Sequence, residues 1–306
     1  MTVLVTIALS VALAPALQGL IKTAKGRLQF RMGPPLLQPY ADLWKLSRKG
    51  SVVPESATWV FQFAPWVVFA TTLTAAGMVP LLWSEQVGYG DAILFGGLLA
   101  LGRAALALAA IDAVSNFTSM GASRDLAISA FVEPALLALL FALAIPIGST
   151  EFGTIAAIRG VLGFESVGPA SILAFAAIII VALAESGRLP LDNPDTHLEL
   201  TMVHEGMLLE YSGRPFALLV LASQVKQFAV LGLVVSLFLP WTLADSGIGL
   251  PLALFLLIVK MACLGVALAV IETLNAKLRI LKVPDLLATA AVLGGLSIVA
   301  RSAFGG

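Results

Sequence analysis

Between Glu185 and Arg214 the chain gathers six carboxylates and both of its histidines into 30 residues, ESGRLPLDNPDTHLELTMVHEGMLLEYSGR. The full sequence of 306 residues holds only 18 Asp and Glu, so a third of the acid lies in a tenth of the length. The acids are Glu185, Asp192, Asp195, Glu199, Glu205 and Glu210, and the imidazoles are His197 and His204. Carboxyl and imidazole groups kept from bulk water take up and release protons, and when close together they titrate as a set. Proton handling is therefore the chemistry this segment suggests. A metal site is the competing reading. The order is His-x-Glu and then His-Glu, not HExxH, and no third ligand stands out, so no metal is assigned. A solvated acidic loop is disfavoured by Leu198, Leu200, Met202, Val203, Met207, Leu208 and Leu209, which need apolar cover.

The elements that position these groups follow from composition and hydropathy. Hydrophobic residues make up 59% and charged residues 12%, with a mean hydropathy of +0.99. Soluble domains carry roughly twice that share of charge. The expected fold class is all-α, a polytopic transmembrane bundle, because in lipid a helix satisfies its own backbone. Eight stretches are long enough to span, at 2–21, 58–83, 91–112, 126–147, 168–186, 214–240, 249–272 and 284–301. The alternation of a transmembrane barrel is absent. Within the acidic segment Pro190 and Pro194 forbid a continuous helix, and 195–210 reads as helix.

Charge sets the expected orientation. Of 18 Lys and Arg, 13 lie in the connections after spans one, three, five and seven, and only Arg159 and Arg301 lie on the other side. The positive-inside rule places those four connections in the cytoplasm and both termini on the outer side of the cytoplasmic (inner) membrane. The outward loops are short and plain, 148–167 being the longest. Net charge is zero, which gives no basic surface for nucleic acid. The single cysteine, Cys263, supports neither a disulfide nor a cysteine-held cluster, and no phosphate-binding glycine motif is present.

The first connection, 22–57, holds more than a loop. After the break at Gly33-Pro34-Pro35, LLQPYADLWKLSRK puts Leu36, Tyr40, Leu43, Trp44 and Leu46 near one helical face, and Asp42, Lys45, Arg48 and Lys49 on the other. It serves as a lipid-surface anchor or as a docking ledge for a soluble partner. On the second reading Arg27, Arg31, Gln38, Asp42, Lys45, Arg124 and Arg188 are the groups expected to meet that partner. Ionisable residues also lie within spans or at their ends. Arg103 and Glu272 are read as snorkelling from span ends. Asp125 and Glu133 sit eight apart on one helical face, and Lys226 is placed to neutralise an acid.

At this point the residues resemble a known family. Ala184-Glu185, Arg188, Pro190, Asp192 and Glu210-Tyr211-Ser212 are similar to A-E-x-x-R-x-P-F-D…E-Y-S of the core membrane subunit that energy-converting (group 4) NiFe-hydrogenases, formate hydrogenlyase among them, share with respiratory complex I. The NPDTHLELTMVHE version resembles the hydrogenase branch. RLQFRMGPPLLQPYADLWKL and MGASRDLAISAFVEPAL are similar to two further family segments, with Asp125 where the branch has Glu. The resemblance implies a non-catalytic subunit that binds no cofactor itself. It would anchor partners carrying the NiFe centre and iron–sulfur clusters: hydrogenase large and small subunits and an iron–sulfur protein. It also implies an acidic funnel of Glu133, Glu185, Asp192, Asp195, Glu199, Glu205 and Glu210, with Arg188, His197 and His204 around it, leading to antiporter-like membrane subunits. Asp125 and Lys226 join the expected proton path. The alternatives are the equivalent subunit of a quinone-reducing or nickel-free complex, and a self-contained transporter.

Overall fold

In a computed structural model, residues 2–83, 90–162, 168–189, 203–240, 249–275, 278 and 282–304 are described, and among them the ordered elements are helices. These are α1 (Thr2–Leu28), α2 (Gln38–Ser47), α3 (Trp59–Met78), α4 (Ala92–Asp112), α5 (Asn116–Ala144), α6 (Phe152–Leu162), α7 (Pro169–Glu185), α8 (His204–Met207), α9 (Gly213–Phe238), α10 (Leu250–Leu274) and α11 (Val283–Phe304). Seven of them (α1, α3, α4, α5, α9, α10 and α11) are long and apolar enough to cross a membrane. The eighth expected span is α7, with 17 residues. At 1.5 Å per residue it covers about 25 Å, a little short of the hydrocarbon core.

Two helices run past the bounds that hydropathy alone suggested. α1 continues to Leu28, so Lys22, Lys25 and Arg27 ride on a helix instead of opening a loop. α5 starts at Asn116, ten residues before the expected 126, because NFTSMGASRD has no helix breaker although it is too polar to count as a span. Asp125 and Glu133 thus sit on one unbroken helix. The segment 148–167, expected as a plain outward loop, is not plain. It contains α6, whose Arg159 is buried, lies over the Phe238 ring at 5.0 Å and donates to the Ser171 hydroxyl at 3.3 Å.

α9 is the axis of the bundle, touching α1, α2, α3, α6, α7 and α10. α4 packs on α3 and α5, and α11 covers α7 and α5. A buried cluster of apolar side chains runs from α1 to α11, with Phe95, Phe152, Phe228 and Leu139 fully enclosed. α2 lies against α9 and α1 after the Gly33-Pro34-Pro35 break, with Pro39 buried in its first turn and the Tyr40 hydroxyl donating to the Ala12 carbonyl. Asp42 and Lys45 face outward, Asp42 accepting from Gln38 at 2.9 Å.

Asp112, one of the acids at a span end, has a structural task. It closes α4 and caps the start of α3, accepting from the Thr58 amide at 2.8 Å, the Thr58 hydroxyl at 2.8 Å and the Phe61 amide at 3.2 Å. An anion at a helix N-terminus meets both orphan amides and the positive dipole end. Asp112→Ala is expected to cost about 1–2 kcal/mol, read as a lower thermal midpoint of the purified assembly, with Asp112→Asn falling between it and the parent.

Candidate functional site

The sequence Glu185-Ser186-Gly187-Arg188 ends α7 in a turn that sends two charges to different places. Ser186 is the C-cap, and Gly187 has φ +58°. The Gly187 amide bonds the Ala184 carbonyl at 3.1 Å and the Arg188 amide bonds the Leu183 carbonyl at 3.0 Å. This pair of bonds is the Schellman arrangement, which needs a left-handed residue and so selects glycine. Glu185 keeps its helical direction into the bundle. Arg188, beyond the turn, reaches Gln18, Gln227 and Glu272 instead.

Glu185 joins a network built around Arg103. Each guanidinium nitrogen faces a different carboxylate: Nη2 reaches Glu185 at 2.7 Å, Nη1 reaches Glu133 at 3.5 Å and Nε reaches Asp125 at 3.8 Å. Lys226 of α9 adds a second cation 3.8 Å from Glu185. Four helices meet here: α4, α5, α7 and α9. The Glu185 side chain is 1% exposed, whereas Glu133, on the outer side of α5, is 36% exposed. Among the described residues, two cations face three carboxylates.

Arg188 joins a second network. Its Nη1 lies 3.3 Å from Glu272 of α10, and its Nη2 donates to Gln227 of α9 at 3.0 Å and to Gln18 of α1. Lys25 of α1 reaches the same Glu272 at 3.2 Å. Glu272 is 2% exposed and Arg188 6%. Lys226 and Gln227 are adjacent on α9, so one turn of that helix serves both networks, as the end of α7 does.

Two small cavities lie beside these networks. One, of about 30 Å³, is lined by Thr71, Arg103, Asp125, His204, Ser223 and Lys226 among others. The other, of about 60 Å³, is lined by Gln18, Arg188, His204, Glu205, Gln224 and Gln227 among others, with Ser223 again at its wall. Glu185 Oε1, Asp125 Oδ2, Gln224 Oε1 and Gln227 Nε2 are buried with no hydrogen-bond partner among the described residues. Asp125 lines the first cavity and Gln224 and Gln227 the second, where polar walls around spaces of this size suit water.

His204 opens α8, a four-residue helix lodged against α5. Gly121 makes that contact possible: a Cβ there would lie 3.0 Å from the Val203 carbonyl oxygen and 3.1 Å from the Met207 nitrogen. The chain then turns through Glu210 into Tyr211, which stacks on Phe61 at 4.0 Å and donates to its carbonyl at 2.8 Å. Burial, and after it the Asp112 charge, push the Tyr211 phenol well above its ordinary value, so it stays protonated as a donor. Ser212 accepts from the Val52 amide at 2.8 Å, tying the start of α9 to the first connection.

The structure thus brings together Asp125, Glu133, Glu185, Lys226 and His204 of the expected proton path. Glu205 lines the second cavity, and Glu210 is half-buried in the turn before α9. Asp192, Asp195, His197 and Glu199 lie outside the described residues. Of the helix expected over 195–210, the described part is α8 followed by a turn, and not a helix running to 210. Among the docking groups Arg27, Arg31, Gln38, Asp42 and Lys45 are exposed and Arg124 is half-buried. Arg188 is a correction: it is enclosed by Gln18, Gln227 and Glu272 and presents no surface to a partner. Arg103 and Glu272 are corrections too. Neither snorkels; Arg103 lies midway along α4, and both are paired inside the bundle. Among the described residues no group of three or more His, Cys, Asp or Glu converges to hold a metal ion.

The family model described as NADH dehydrogenase matches residues 1–301. The chain belongs to this family. Formate hydrogenlyase subunit 4 of Escherichia coli is 35% identical over 273 residues, covering 88% of each chain. Hydrogenase-4 component C of the same organism is 35% identical over 237 residues, 76% of this chain and 73% of that protein. An NADH-quinone oxidoreductase subunit of Koribacter versatilis is 32% identical over 230 residues, 69% of this chain and 53% of that one. Among solved structures, a chain of an archaeal membrane-bound sulfane sulfur reductase has the same fold, with a TM-score of 0.83 over 98% of both chains at 19% identity. In this member of the NADH dehydrogenase family, Arg103, Gln18, Lys25, Gln227 and Glu272 complete networks of which sequence reasoning named only part. The signal for Arg103 was its mid-span position, since a cation there needs a partner.

A guanidinium does not lose its proton, so Arg103 is a fixed positive charge around which three carboxyl groups can exchange theirs. Removing one partner of a buried ion network is expected to cost about 3–5 kcal/mol. Arg103→Ala should therefore lower the thermal midpoint or yield of the assembled protein sharply. Arg103→Lys, which keeps the charge but cannot address three carboxylates at once, should fall between. An Arg103→Ala protein as stable as the parent would remove the hub from the description.

Proposed function

We propose that this chain is the membrane-anchoring and proton-coupling subunit of an energy-converting hydrogenase-type complex. The observation that carries this reading is the Arg103 network, a set of interacting carboxylates inside a membrane bundle with one enclosed member and one at the lateral face. Two of the similar proteins are named as a formate hydrogenlyase subunit and a hydrogenase-4 component, each at 35% identity, which favours the hydrogenase branch. On this reading the partners are hydrogenase large and small subunits, an iron–sulfur protein and antiporter-like membrane subunits. The NiFe centre and iron–sulfur clusters belong to those partners. The bundle lies in the inner membrane with both termini outside, and the exposed polar groups of α2, with Arg27 and Arg31, form the ledge for the soluble arm.

The chain's own residues do the coupling as follows. Glu185 is held between Arg103 and Lys226 as the most deeply buried carboxyl group of the set. Glu133 has a longer contact with Arg103 and the greatest exposure, so it is the carboxyl through which a proton leaves for, or arrives from, a neighbouring membrane subunit. Because three carboxylates share one guanidinium, a change of charge or position at the α7–α8 side alters the proton affinity of all of them together. The competing assignment is the same module in a quinone-reducing complex, supported by the 32% identity to the NADH-quinone oxidoreductase protein of Koribacter versatilis. Identification of the subunits that co-purify with the native complex separates the two.

The coupling role is tested in the intact complex reconstituted into vesicles. Glu185→Gln and Glu133→Gln are each expected to assemble and to abolish redox-driven proton uptake or release. Wild-type proton movement in both variants would contradict the role.

A further inference from the structure

We propose that His204 carries protons between the two ion networks, as the titratable bridge across them. The inference rests on the coupling role proposed above and specifies its route.

Among the described residues, two line both cavities, His204 and Ser223. On one side of them lie Arg188, Gln18, Gln224, Gln227 and Glu205; on the other lie Arg103, Asp125 and Lys226. Apart from Glu205, the charged and amide side chains of the second cavity suit water but pass protons poorly, because a guanidinium does not deprotonate and amides do not titrate near neutrality. Glu205 lines only the second cavity and Asp125 only the first. The Ser223 hydroxyl is already committed as donor to the Val220 carbonyl at 2.8 Å. His204 also touches both chambers, and its imidazole has two ring nitrogens that can each take or give a proton. With volumes of about 30 and 60 Å³, the chambers hold one to a few waters each.

The step is a plain proton exchange. One ring nitrogen accepts a proton from the Arg188 chamber, giving imidazolium. The other ring nitrogen releases its proton into the Arg103 chamber toward Asp125, leaving the neutral ring in its other tautomer. Rotation of the ring by half a turn restores the start, with the proton left on the Arg103 side. One proton enters, one leaves, and no electron moves. The backbone favours this placement. Gly121 lets α8 approach α5 closely, and a Cβ on Gly187 would lie 3.9 Å from that of His204, so the ring stands directly beside the turn that divides Glu185 from Arg188.

The test uses the intact complex in vesicles, with His204→Ala, His204→Gln and Glu185→Gln compared for the rate of redox-driven proton movement. Both His204 variants are expected to fall by about 100-fold, the usual range for loss of a positioned acid–base group. Imidazole added to the buffer should restore transfer in His204→Ala and in neither of the other two, which a merely structural role would not produce. If Glu185→Gln is inactive while both His204 variants move protons normally, the bridge is overturned and the coupling role stands. If all three move protons normally, both fall. Should His204→Ala fail to assemble, Ser223→Leu plugs the shared wall from α9. It is expected to block transfer, and wild-type transfer in it would overturn the proposal.

Discussion

One guanidinium addressing three carboxylates is the interaction on which the interior of this bundle depends. Arg103 directs each of its nitrogen positions to a different partner, Asp125 and Glu133 on α5 and Glu185 on α7. Charges at the centre of a spanning helix cost several kcal/mol unless paired or hydrated. Here the pairing ties α4 to α5 and α7 and, among the described residues, leaves one carboxylate more than the two cations nearby can match. Such a network favours a defined geometry, yet it keeps a place for a mobile proton. On the proposed reading, stability and proton exchange are properties of the same contacts.

The backbone decides how that network communicates with the rest of the chain. Gly187, in the left-handed region, lets α7 end so that Glu185 and Arg188, three residues apart, serve separate networks. α9 repeats the device with adjacent Lys226 and Gln227. α8 is lodged against α5 by the close approach at Gly121, while Tyr211 and Ser212 fasten the following turn to α3 and to the first connection. A displacement of the α8 region would accordingly be felt at both networks. Of the sequence segments that resemble the family, 120–136 and the described parts of 184–214, residues 184–189 and 203–214, meet at this junction.

Much of the architecture was legible in the sequence, because a lipid environment demands long uninterrupted apolar helices and the hydropathy states where they are. The amphipathic α2 was legible from its helical spacing after two prolines. α6 was not, since eleven residues are too few to signal a span and its Arg159 suggested a loop. The acids of the junction were visible as a cluster, and Lys226 stood out as a cation inside a span. Their actual partners were not visible. Arg103 pairs with a residue 82 positions away, and Arg188 with one 84 away. A long basic side chain also snorkels readily, so Arg103 looked like a lipid-facing residue and Arg188 like a docking group. Only the packing of α4, α5, α7 and α9 around one point distinguishes these outcomes.

Membership of the NADH dehydrogenase family, together with 35% identity to two E. coli hydrogenase-complex components, places this junction in a chain built to work inside a larger assembly. The most direct measurement is redox-triggered infrared difference spectroscopy on that intact assembly, read in the stretching region of protonated carboxyl groups. Turnover should produce a carboxyl band that is lost when Glu133 is replaced by Gln and shifted when Arg103 is replaced by Lys. A spectrum with no carboxyl band, or one indifferent to both replacements, would mean that these acids keep their protonation throughout the cycle and serve only to hold the helices together.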